Sequence, residues 1–406
     1  MKNFTLLLAA YISSQGILFL VQSWLIAVGE VAYVGRFGLG FTFAVFAYYT
    51  VDWGGQLVLA RRQLVHEQTI PFDQFLVSLF IARMIVAACL ASLLMLWLWF
   101  AHWDFASAYI IGASPALAMA TLNVGGVLDG RRRSGFAGLA AMPPVLFSAF
   151  ALVFAAHLSG WQQGLVLGLS FSTGTMTTIL CQYRSLGGKK LMLNFHLASR
   201  DSIRAAAKEG GIAVLAQLPS FAMYRIQIAI CAIMLGPSAT GVFVYGKQII
   251  NGMMQLVQLV SRAELPKIMS VFDPTEALTM RNLIKTQIGT IVAGGSLAMS
   301  VSLIGLALWT MRQDNFSTSG LFIACFGPAL ASGTVFLMLH QAHLARGTLE
   351  VAATISNLSA LLGSGLALLG TLFLDIYGFA LAEVLANCAG IAGMAVLSRW
   401  RRHRNA

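Results

Sequence analysis

GGKKLMLNFHLASRDSIRAAAKE, residues 187–209, belongs to the longest polar interruption in this chain and lies near its middle. Basic and apolar residues are interspersed in it, so the segment 183–209 reads as a linker lying on the inner membrane surface. What flanks it decides the fold. A bilayer core is crossed by about 20 consecutive apolar residues. Such stretches precede the linker at 4–28, 37–60, 74–99, 105–128, 136–157 and 161–182, and follow it at 210–235, 239–260, 286–309, 318–340, 349–374 and 377–398. The first follows the short charged start MKN and runs too long for a signal-peptide core, so it counts as a membrane helix.

Composition agrees. The 406 residues are 58% hydrophobic and 10% charged, with a mean hydropathy of +0.78, more apolar surface than a water-soluble domain of this length can hide. The expected fold is an all-α polytopic membrane protein of twelve transmembrane helices. Residues 1–182 form one six-helix lobe, 210–398 the other, and 399–406 a basic cytoplasmic tail. Two halves of six helices start on the same side, which predicts a pseudo-two-fold axis along the membrane normal. An offset of 201 residues aligns Gly35 with Gly236, Gly40 with Gly241 and Arg61 with Arg262.

The formal charge of +11 follows from topology. Of 26 Lys and Arg, only Arg36 and Arg312 fall in connections on one side, three lie within spans, and the rest fall on the other side. By the positive-inside rule that richer side is cytoplasmic, with both termini on it. Contact with anionic lipid headgroups accounts for the basic excess, and no nucleic-acid partner is needed. The five cysteines all lie in spans without CxxC spacing, and the seven histidines show no ligand spacing. Neither disulfide, metal nor cofactor is expected.

Three basic residues remain inside spans: Arg83, Arg225 and Lys247. A charge at the bilayer centre costs roughly 3 kcal/mol on insertion scales, so such residues face a water-filled cavity or a partner unless they snorkel to an interface. Arg225, in PSFAMYRIQIAICAIML (219–235), sits roughly 15 Å from the nearer end of its span, too deep for easy snorkelling. Arg83 and Lys247 are shallower. All three are expected to line one cavity between the lobes and bind an anionic substrate, with Tyr224 and Gln227 beside Arg225. The acids within spans, Asp52 and Glu383, are candidates either for pairing with these cations or for ion coupling.

Two segments carry a family resemblance: VGRFGLGFTFAVFAYYTVDWGGQLVLARR at 34–62 and MYRIQIAICAIMLGPSATGVFVYGKQI at 223–249. They resemble the Wzx-type polysaccharide flippases of the multidrug/oligosaccharidyl-lipid/polysaccharide exporter superfamily. The likeness rests on Asp52, Trp53, Gly54 and Arg61 closing the second helix, and on Tyr224, Arg225, Gly236, Gly241 and Phe243 in and after the seventh. Gln227 stands where an acid is frequent in that family, which puts a coupling role at this position in doubt.

The resemblance implies an alternating-access transporter of the bacterial inner membrane, not an enzyme. Its substrate would be an undecaprenyl-pyrophosphate-linked oligosaccharide moved from the cytoplasmic to the periplasmic leaflet, and its partners membrane lipids and other polysaccharide-assembly proteins. Fixed cations would replace hydration lost by a pyrophosphate, and arginine offers it a bidentate fork. Moving about two negative charges outward across about 100 mV releases roughly 4.6 kcal/mol. Two alternatives stay open: a multidrug exporter of the same superfamily, whose cationic substrates three unneutralised cations would repel, and a membrane-embedded polysaccharide polymerase or ligase. The latter needs a sizeable outer loop, and every expected outer connection is short.

Overall fold

Apolar runs without water must satisfy their own backbone groups, and helices do this within one segment. A computed structural model describes residues 2–64, 70–100, 104–131, 133–186, 195–271, 280–310, 314–345 and 349–405, and among these the regular structure is helical throughout. Residues 187–194 of the expected linker lie outside the described residues.

The chain begins with α1 (Lys2–Ala27), α2 (Val31–Asp52), α3 (Gly55–Leu64), α4 (Phe72–Phe100), α5 (Phe105–Ala120), α6 (Gly125–Gly130), α7 (Ser134–Ala140), α8 (Pro143–Ala155) and α9 (Gly160–Ser185). It continues with α10 (Arg200–Met234), α11 (Gly236–Val271), α12 (Met280–Thr286), α13 (Ile288–Thr310), α14 (Asp314–Cys325), α15 (Gly327–Ala345), α16 (Leu349–Leu374) and α17 (Gly378–Asn405). Among the described residues, the expected spans correspond to α1, α2–α3, α4, α5–α6, α7–α8, α9, α10, α11, α12–α13, α14–α15, α16 and α17. Several spans are thus broken helices. Helix α10 starts at Arg200, so the last ten residues of the segment expected as a surface linker already belong to it.

Length and apolarity alone single out eight stretches able to cross a membrane among the described residues, one of which, Val351–Val396, covers most of α16 and α17. Shorter apolar helices are Phe105–Ala120 and Ala222–Met234. Helix α11 is more polar, with Lys247, Gln248, Asn251, Gln255 and Gln258 along it. The chain is a multi-pass membrane protein. Large apolar side chains such as Trp99, Phe154, Ile233 and Phe373 are exposed on its helices, as side chains against lipid are.

The helices form two compact units, Met1–Trp24 with Arg36–Ala216, and Leu25–Gly35 with Gln217–Ala406. In the first unit α5 and α9 lie backbone to backbone. A Cβ at Gly164 would strike the Phe105 carbonyl, one at Gly168 the Tyr109 carbonyl, and one at Gly112 the Leu165 carbonyl. Small residues four apart let membrane helices approach this closely. The same unit buries Leu59, Phe75, Leu79, Val127 and Leu128 around the α3–α4–α6 contact. In the second unit, an aromatic chain runs from Tyr224 to Phe243, from there to Phe322 and Phe379, and on from Phe322 to Phe326.

Candidate functional site

The break between α2 and α3 is built by Trp53 and Gly54, at φ 51° and 66°. A tryptophan in left-handed backbone costs on the order of 1–3 kcal/mol, so its surroundings must hold it. They do: its indole Nε1–H donates to the Ala207 carbonyl at 2.9 Å, and any Cβ at Gly210 would collide with the ring. Asp52 closes α2 and opens α3, since its Oδ2 accepts from the Gln56 amide at 3.1 Å. The second break, Thr121–Val124 between α5 and α6, is bridged by side chains in the same way. Asn123 Oδ1 accepts from the Gly125 amide and Gln182 Oε1 from the Val124 amide, both at 3.0 Å.

Arg83 of α4 joins the two breaks. Its Nε donates to the Asp52 carbonyl at 2.8 Å, and Nη1 to the carbonyls of Asn123 at 2.6 Å and Thr121 at 3.3 Å. Its Nη2 pairs with Asp52 Oδ1 at 2.5 Å, and Asn123 Nδ2 donates to that same oxygen at 2.9 Å. Arg83 is 2% exposed and Asp52 3%.

In the second unit, Lys247 of α11 pairs with Glu383 of α17. The Lys247 side chain is 4% exposed and that of Glu383 16%. The ammonium also lies 4.8 Å from the Phe326 ring centroid, a cation–π contact at the end of the aromatic chain. Arg225 on α10 is half-buried, its guanidinium carbon 5.9 Å from the Tyr224 ring centroid. Gln227 is wholly buried, and among the described residues neither end of its amide has a hydrogen-bond partner.

Of the two roles open to Asp52 and Glu383, the structure shows pairing: Asp52 neutralises Arg83 and Glu383 neutralises Lys247, so three unneutralised cations do not stand together. The reason is the low local dielectric, which makes an unpaired buried charge far more costly than a paired one. Glu383, considered above as a partner of whichever cation lies near, is taken by Lys247. Repulsion of organic cations by three bare charges no longer holds as an argument. Asn123, Thr121, Gln182 and Gly55 were not expected to matter. For all but Gln182, the signal was the polar and glycine content of TLNVGG (121–126) and DWGG (52–55) inside apolar spans.

No family model and no curated protein matches this sequence. Solved structures do. Over 97% of this chain and 87% of the other, it is similar to the lipid II flippase MurJ in its inward closed conformation, with a TM-score of 0.73 and 13% identity. An inward-facing multidrug resistance MATE family transporter matches over 98% of both chains, with a TM-score of 0.70 and 16% identity. A transporter from Pyrococcus furiosus, described as having a binding pocket of reverse polarity, matches over 98% of this chain and 95% of that one, at 0.61 and 15%. The chain shares the fold of these solved structures. That fold is the twelve-helix, two-lobe arrangement, and its structural relatives here are transporters and flippases rather than enzymes.

Proposed function

We propose that this chain is a flippase for a polyprenyl-pyrophosphate-linked oligosaccharide, carrying it from the cytoplasmic to the periplasmic leaflet by alternating access. The observation that carries the reading is Arg225, a half-buried guanidinium deep in an apolar helix, in a chain folded like a lipid II flippase. A permanent fork of donors suits a pyrophosphate. Tyr224 on the same helix supplies an aromatic face to a sugar, and Gln227, wholly buried in this conformation, can supply an amide once a conformational change uncovers it. Lys247 can join them once Glu383 releases it, whereas Arg83 already spends its donors on the protein.

A multidrug exporter is the second reading. It is favoured by the neutral Asp52–Arg83 and Lys247–Glu383 pairs and by likeness to the MATE transporter over nearly the whole of both chains. One experiment separates them. In a strain lacking this chain, the flippase reading expects loss of surface glycan, accumulation of the lipid-linked precursor and unchanged susceptibility to cationic drugs. Arg225→Ala should reproduce the glycan defect at normal protein level, and Arg225→Lys should restore part of the export, because a point charge replaces a bidentate fork. Full glycan export by Arg225→Ala removes the residue from the mechanism. Drug hypersensitivity with intact glycan favours the exporter.

A further inference from the structure

The acceptors around Arg83 are unusual for a substrate-binding arginine. They are three main-chain carbonyls, of Asp52, Thr121 and Asn123, and one carboxylate oxygen of Asp52. All come from two interrupted helices whose carbonyls the breaks release from helical bonding. In membrane transporters, unwound carbonyls and the C-terminal ends of half-helices coordinate small cations. Here the positive charge at that position belongs to a side chain. The fit is close: a Cβ on Gly55 would fall within the guanidinium, so only glycine at the start of α3 lets it lie against the backbone.

We propose that Arg83 is a tethered counter-ion. Its guanidinium fills a carbonyl-and-carboxylate cation site at the joint of α2–α3 with α5–α6, so this site in the first unit exchanges no ion. Shortening the side chain opens it to free guanidinium or a monovalent metal cation. Electrostatics requires an occupant: without one, the Asp52 carboxylate is a buried charge facing three carbonyl dipoles, which repel it and one another. This inference does not depend on the substrate of the transporter.

The test is thermal unfolding of purified protein in detergent. Arg83→Ala should melt lower by an amount on the order of 10 °C. Low-millimolar guanidinium chloride, far below denaturing levels, should restore much of that loss, with sodium or potassium chloride tried in parallel. Choline chloride of the same ionic strength should not, being too large for the site. Wild-type protein should respond to none of them. An Arg83→Ala protein as stable as wild type overturns the proposal, as does one that responds equally to choline and to every small cation. Should Arg83→Ala fail to accumulate, Arg83→Lys and Arg83→Gln decide. A site that demands positive charge leaves the lysine variant the more stable, while equal stability or a better glutamine variant reduces Arg83 to a neutral hydrogen-bond bracket.

Discussion

At the scale of single residues, the arrangement turns on which buried charges are spent and which remain usable. Lys247 and Glu383 neutralise one another in a setting where Glu383 keeps some exposure, so either partner left alone is a stranded charge. Removing one member of a buried pair costs about 3–5 kcal/mol, whereas replacing both with apolar groups is often neutral. Lys247→Met and Glu383→Leu singly should each lower the melting temperature, and the double variant should recover most of the loss. Transport separates structure from binding. If Lys247 takes part in holding the substrate, the double variant is stable and still inactive; recovery of both confines the pair to a structural role. A Gly55→Ala variant should resemble a mild loss of Arg83, because its methyl displaces the guanidinium from the carbonyls it now touches. Its melting curve should move part of the way toward that of Arg83→Ala.

Elements were more legible than the contacts between them. Apolar stretches near 20 residues mark helices because nothing else satisfies a backbone in hydrocarbon, so each expected span has its helical counterpart. The interruptions were not legible. Spans 37–60 and 105–128 read as continuous, because hydropathy averages over Trp53–Gly54 and Thr121–Val124 while the flanking residues stay apolar. Pairing was equally hidden: Arg83 and Asp52 lie in different helices, and their meeting depends on how α2 bends. The intimacy of α5 and α9 leaves a trace only in the spacing of Gly164 and Gly168. Gly168→Leu should force these backbones apart and lower the yield of monodisperse protein in size-exclusion chromatography. Gly295→Leu, at a glycine with open space around it, should not.

At the scale of the whole molecule, charge asymmetry sets the expected orientation, and the direction of any transport would follow from it. An even count of twelve passes would put the basic segments around 131–133 and 183–209 on the side where the chain starts. Basic segments resist translocation across an energised membrane, so the positive-inside rule expects this side to be cytoplasmic. The placement is open to a labelling experiment on a variant lacking Cys89, Cys181, Cys231, Cys325 and Cys388, each replaced by serine or alanine. A single cysteine at position 187 should react with an impermeant maleimide only after the membrane is permeabilised, and one at position 158 should react in intact cells. The opposite pattern inverts the protein, and it does more than relabel two loops. A pyrophosphate-linked substrate leaving the cytoplasm moves down an inside-negative potential and gains roughly 2.3 kcal/mol per charge for each 100 mV. Opposite labelling would remove the positive-inside ground for reading the inner leaflet as the loading side, and the flippase reading would then need direct evidence of direction before potential-driven export could be invoked.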